Sequence, residues 1–213
     1  MRRKLHAYLP LLWLLAIPAL NIFYVRLNHG GGQVNSLVTD IDRQIPFVPI
    51  FIIPYIFWYV FITGMLLLHF FKNKKGFAQT LVTLCTGLVA CYMIYLQFQT
   101  TVPRPQIGSS GLLIQLVEWV YRHDQPFNCF PSIHVFTSYL MIKSVQEHAA
   151  FSRKFKAAVY FSSWLIICST FFVKQHVLLD AAGAIALAEI LHFAGRTLFN
   201  GKVLTLHKRS PSE

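Results

Sequence analysis

The sequence predicts an all-α fold: a polytopic bundle of six transmembrane helices, with a short interfacial helix in the loop before the fourth span. Three observations carry that expectation. Hydrophobic residues make up 55% of the chain and charged residues only 13%, about half the roughly 25% of an average soluble domain. The apolar residues are gathered into blocks, and blocks of about 18 or more can cross a bilayer core of roughly 30 Å as helices. Lys and Arg then collect between those blocks, mostly on one side.

The spans fall at about 8–26, 47–71, 77–98, 131–148, 156–173 and 177–199, placed to within about two to four residues. The first follows Arg2, Arg3 and Lys4 and contains Ala16-Ile17-Pro18-Ala19, which is wording shared with signal peptides. Its apolar stretch continues through Leu20, Ile22, Phe23 and Val25, longer than a signal core, so it reads as an uncleaved span. Pro10, Pro18, Pro49 and Pro54 in the first two spans predict kinks that neighbouring helices accommodate. Before the fourth span, Leu112, Leu113, Leu116, Val117 and Val120 share one helical face, with Trp119 and Tyr121 nearby. This segment either lies in the interface and flanks a substrate entering from the lipid, or packs as a loop helix with no role in access. No internal repeat breaks the chain, and residues 1–213 read as one integral membrane domain with a frayed tail at 208–213.

Of the 19 Lys and Arg, the six-span arrangement puts 14 on one side: Arg2, Arg3, Lys4, Lys72, Lys74, Lys75, Lys143, Arg153, Lys154, Lys156, Arg196, Lys202, Lys208 and Arg209. The other side has Arg26, Arg43, Arg104, Arg122 and Lys174. The bias places both termini in the cytoplasm, with the plasma membrane as the expected location. It also gathers Arg104 and the mouths of the fourth and sixth spans on the non-cytoplasmic face. The net charge of +11 does not indicate nucleic acid, because the basic residues act as topology anchors and no basic face with stacking aromatics remains outside the bilayer. Cys85, Cys91 and Cys168 lie in apolar blocks and Cys129 lies alone in a loop, so they read as packing residues, not a disulfide framework.

The gathered residues suit phosphoryl transfer, which needs a nucleophile, positive charge around the phosphoryl oxygens and an acid for the leaving oxygen. His176 and Asp180 are four apart, so on a helix they share a face, and Asp180 can hold one ring nitrogen while the other attacks phosphorus. His134 sits one turn into the fourth span and can protonate the leaving group. Pro131 suits the first helical turn, leaving the amides of Ser132, Ile133 and His134 for an anion at the positive end of the helix dipole. Arg104 offers a planar fork, and Lys174 a mobile point charge two residues before His176. Ser132 is equally suited to capping the helix, and Lys174 to anchoring at the interface. A single histidine at a span end is ordinary; two, with a spaced carboxylate and an arginine on one face, are not. Asp180 also lies about one turn into a span, where a carboxylate is expensive unless paired. Arg122, His123 and Asp124 read as solvated loop residues, with lining the entrance to the site as the alternative, Glu189 as paired within the bundle, and Asp40 and Asp42 as capping or solvating the first loop.

These residues resemble the type 2 phosphatidic acid phosphatase and haloperoxidase superfamily, whose pattern is Lys-x6-Arg-Pro, then Pro-Ser-Gly-His, then Ser-Arg-x5-His-x3-Asp. Here the motifs read Gln97-x6-Arg104-Pro105, Pro131-Ser132-Ile133-His134 and Ser169-Thr170-x5-His176-x3-Asp180, within about residues 91–195. The resemblance implies a helical bundle with His176 as nucleophile, His134 as acid, Asp180 as orienter, and Arg104 and Ser132 as phosphate ligands. It further implies turnover without metal or other cofactor. The expected activity is a membrane phosphatase acting on a lipid phosphate or diphosphate monoester through a phosphohistidine. Phe130-Pro131-Ser132-Ile133-His134 and Lys174-Gln175-His176 are also similar to the branch with inositol phosphorylceramide synthases, which passes the phosphoryl group to an alcohol. Gln97 stands for a lysine, Thr170 for an arginine and Ile133 for a glycine. The two lost cations weaken phosphate binding unless Lys174 compensates, and they leave open a member that binds lipid phosphate without turnover.

Overall fold

A computed structural model describes residues 8–30, 32–108, 110–146 and 148–207, with side chains described through 198. Arg2, Arg3, Lys4, Lys208 and Arg209 of the charge count, the side chain of Lys202, and the tail at 208–213 lie outside what is described. The chain is mostly helical: α1 (Ala16–Leu27), α2 (Asp40–Gln44), α3 (Ile52–Lys72), α4 (Lys74–Gln97), α5 (Leu112–His123), α6 (Ile133–Gln146), α7 (Arg153–Phe172) and α8 (Leu178–His207). Five stretches are long and apolar enough to cross a membrane: Leu9–Leu27, Pro49–Lys72, Lys74–Gln97, Arg153–Phe172 and Leu178–Leu198. They coincide with five of the six predicted spans.

The remaining one differs. Helix α6 has 14 residues, which at roughly 1.5 Å each is about 21 Å, short of a bilayer core of roughly 30 Å. Ten of its residues are buried, because α3, α4, α7 and α8 pack around it. A helix enclosed by its neighbours needs no lipid-length apolar run, so the turns on either side absorb residues the hydropathy pattern assigned to the span. It runs alongside α3: the His134 ring lies 4.6 Å from Tyr55 and 4.4 Å from Trp58, while Ser144 Oγ bonds His69 Nε2 at 2.9 Å further along.

Pro10 and Pro49 fall at the beginning of 3-10 turns, where a missing N–H costs nothing. Pro18 and Pro54 lie inside the first two spans, just past the change from 3-10 to α geometry. Polar side chains mark the other starts: Asn73 Oδ1 accepts the Gly76 N–H at 3.0 Å to cap α4, and Ser152 Oγ caps α7. The loop helix exists as α5, burying Val117 and Val120 against Ile52, Tyr55 and Val173 while Leu112 and Trp119 stay exposed. Glu189 pairs as expected, with Lys143 at 3.0 Å and the Tyr139 hydroxyl at 2.5 Å.

One small element was absent from the all-α expectation. Strands β1 (Asn35–Ser36) and β2 (Thr100–Thr101) pair in parallel and tie the first loop to the chain leaving α4. This brings both loops to the end of the bundle where α6 and α8 begin.

Candidate active site

Two helix starts are bonded together. Ser132 is fully buried; its Oγ accepts the Val135 N–H at 3.3 Å and its own N–H donates to the Asp180 carbonyl at 3.2 Å. Its hydroxyl therefore serves the helix cap, and its amide is already spoken for. Pro131 stands one residue ahead of this cap, not inside the first turn, and its carbonyl accepts the Tyr95 hydroxyl at 2.6 Å. The amides of Ile133 and His134 come next, at positions with no intrahelical acceptor.

His176 lies ahead of α8, not on it. Asp180, in the first turn, reaches back: Oδ2 accepts the Val177 N–H at 2.9 Å and lies 3.3 Å from His176 Nδ1. This is half of a capping box, with a histidine added. The expected pairing is present, but a helix start makes it instead of a shared helical face. Because a carboxylate only accepts, Nδ1 carries the proton and Nε2 keeps its lone pair. The His134 ring lies 5.7 Å from the His176 ring, centroid to centroid. His134 Nε2 and Asp180 Oδ1 are buried without a hydrogen-bond partner among the described residues.

The turn before His176 is a helix C-cap. Gln175 and His176 both donate their N–H to the Thr170 carbonyl, at 2.9 and 3.2 Å, and Lys174 takes the left-handed conformation, φ 53°. That position usually falls to glycine. Lys174 is turned away from the histidines, against its expected place at a phosphate: its Nζ donates to the carbonyls of Asp42, at 3.1 Å, and Ile45. Burial lowers its pKa, opposed by Asp42. Asp42 Oδ1 in turn accepts the Leu178 N–H at 2.9 Å, so the first loop caps the last helix. Burial pushes the Asp42 carboxyl up, but hydrogen bonds from Thr39 and Leu178 outweigh it and leave the pKa below the usual aspartate value.

Arg104 is engaged too. Its guanidinium donates to the carbonyls of Tyr121, at 2.7 Å, and Asp124, and to Gln175 Oε1 at 2.7 Å, with the Tyr121 ring 4.2 Å away. The fork expected at phosphate oxygens holds two loops together, and its charge is carried to the residue next to His176. Burial lowers its pKa, with Asp124 opposing. Its Nε has no partner among the described residues. Of the two positions where the motif's cations are lost, Gln97 is exposed at the end of α4, and Thr170 is buried with its hydroxyl on the Ile167 carbonyl.

A cavity of about 470 Å³ lies beside His134, walled by Leu14, Ile17 and Tyr24, by Trp58 and Ile62 of α3 and by Leu88 of α4. Its polar contributors include Asp124, His123 and Thr137. No family model, curated protein or solved structure matches this chain.

His134, His176, Asp180, Ser132 and Ile133 thus come together, Arg104 lies one residue removed, and Lys174 points elsewhere. Two further residues join the site. Asp124, read as solvated, takes hydrogen bonds from Tyr24 at 2.5 Å, Asn28 at 2.9 Å and Tyr55 at 3.2 Å. Cys129, read as a packing residue alone in its loop, is brought within 4.8 Å of ligand atoms of His176 and Asp180. In both cases the partners come from distant segments, and only the fold unites them.

Proposed function

We propose that this chain is a membrane phosphatase that hydrolyses a lipid phosphate or diphosphate monoester through a phosphohistidine. The observation that carries the reading is the meeting of two imidazoles 5.7 Å apart, one oriented by a buried carboxylate, beside an apolar cavity of about 470 Å³. That volume falls in the usual range for a small-molecule site, roughly 300–1,000 Å³.

His176 Nε2 attacks phosphorus, forming a P–N bond as the P–O bond to the lipid breaks. Asp180 stabilises the charge arising on the ring. His134, protonated beside the bound anionic phosphate, gives its proton to the departing oxygen, then takes one from the water that hydrolyses the phosphohistidine. The amides of Ile133 and His134, at the positive end of α6, receive the equatorial oxygens, and Arg104 adds fixed positive charge nearby. The lipid chain occupies the apolar cavity.

In the bilayer, α6 acts as a sixth crossing enclosed by α3, α4, α7 and α8, and α5 lies at the interface. The Lys and Arg bias, 14 against 5, puts both termini in the cytoplasm and the site on the opposite face of the plasma membrane. Purified protein is expected to release phosphate from at least one of phosphatidate, phosphatidylglycerophosphate or a polyprenyl diphosphate. His176→Ala is expected to lower that rate by about 10³-fold or more. Silence across the panel, or full rate in the variant, sinks the proposal.

Transfer to an alcohol is a second reading, favoured by Asp124. Its carboxylate contributes to the cavity beside His134, with two donors on Oδ1 and one on Oδ2, which leaves acceptor capacity for a hydroxyl. Adding alcohols to the same assay separates the two, since transfer yields a phosphate monoester of the added alcohol in place of free phosphate.

A further inference from the structure

Cys129, His176 and Asp180 are all buried, and one ligand atom of each lies within 4.8 Å of the other two. Asp180 also has a carboxylate oxygen, Oδ1, with no hydrogen-bond partner among the described residues. We propose that these three side chains form a site for a thiophilic divalent cation of the zinc class, and that its occupancy switches the enzyme off.

The geometry is close to what such a cation needs. Three atoms no more than 4.8 Å apart place a central ion within about 2.8 Å of each, and a contraction of about half an ångström reaches the roughly 2.0–2.3 Å of zinc bonds. Three protein ligands leave a fourth, tetrahedral position for water. The charges suit a buried place as well. A thiolate and a carboxylate together neutralise a doubly charged ion, and a neutral imidazole completes the set, so no net charge is left in an apolar surrounding. One sulfur, one nitrogen and one oxygen select a borderline-soft ion, whereas calcium and magnesium ask for more oxygens and no sulfur. On binding, the Zn–S bond forms as the thiol proton leaves to solvent.

The consequence follows from which residues are used. Asp180 orients His176, and a cation held by both takes the carboxylate from its orienting task and the imidazole from phosphorus. Cys129 has no part in the proposed turnover and acts only as the third ligand. The inhibition rests on the phosphatase reading; the metal site does not.

The test uses the full-length protein stripped with EDTA and titrated with Co²⁺, whose thiolate charge-transfer band in the near ultraviolet reports sulfur coordination. One equivalent is expected to raise the band, Zn²⁺ to displace it and Mg²⁺ to leave it. Cys129→Ala and the nearly isosteric Cys129→Ser are expected to lack it. Absence of the band in the parent protein, or its persistence in Cys129→Ala, overturns the site. In the second arm, Zn²⁺ is expected to stop phosphate release, EDTA to restore it, and Cys129→Ala to need at least tenfold more Zn²⁺ for the same inhibition. Equal sensitivity of parent and variant overturns the switch. If no lipid is turned over, the cobalt band still decides the site, and the switch falls together with the phosphatase reading.

Discussion

At His134 and Lys174 the site residues divide into those that touch the reaction and those that hold the frame. His134, the proposed acid, has its Nε2 buried without a partner beside the cavity. His134→Gln is expected to lower kcat for phosphate release by about 10²–10⁴-fold. Lys174 spends its ammonium on the first loop, so Lys174→Met is expected to lower the melting temperature while KM stays within about threefold. A large rise in KM would return Lys174 to the phosphate. Asp42 gives a pH signature. Its folded pKa is depressed by burial-opposing hydrogen bonds from Thr39 and Leu178, so its contribution is present above the ordinary carboxylate range and is lost as pH falls through the lowered value. Asp42→Asn is expected to cost about 1–2 kcal/mol near neutrality, as a lost cap does. The gap in melting temperature from the parent should close in acid; a gap that widens there contradicts the assignment. His134, His176 and Asp180 were legible because motif spacing encodes them locally. Asp124 and Cys129 were not, because their partners arrive from other segments.

Among the elements, α6 departs most from the hydropathy pattern, and its burial makes a packing prediction. A Cβ on Gly87 of α4 would overlap the ring of Phe136, which is fully buried in α6, while one on Gly64 of α3 meets nothing within 4 Å. Gly87→Ala is expected to destabilise by about 1–3 kcal/mol through overpacking. Gly64→Ala should be neutral or gain up to about 1 kcal/mol of helix propensity. Thermal unfolding in one detergent checks both, and equal effects would mean that α6 does not press on α4 there. The five long helices were readable from apolar length alone. The length of α6 was not, since hydropathy reports apolarity and cannot tell a protein neighbour from lipid. Gln97, one of the lost motif cations, shows the same limit: the spacing located it, but only the fold shows it exposed at a helix end.

For the whole molecule, the charge bias supports an orientation that labelling can test. Gln125 and Lys75 are both exposed, Gln125 in the loop after α5 and Lys75 at the α3–α4 turn. In intact cells an impermeant maleimide is expected to label Gln125→Cys directly and Lys75→Cys only after permeabilisation. The native cysteines are buried or half-buried and give the background. The reverse pattern would invert the topology. The hydrogen bond from the Leu178 amide to Asp42 bears on how the protein is made. A ribosome delivers residue 42 early and residue 178 late, so a nascent chain holds the first half of this clasp long before the second. Until the final segment is threaded, the proposed nucleophile His176 has neither its orienting carboxylate nor a seated backbone. Under the proposed function, partially inserted chains are therefore inert toward the lipids around them, and competence arrives with the last helix.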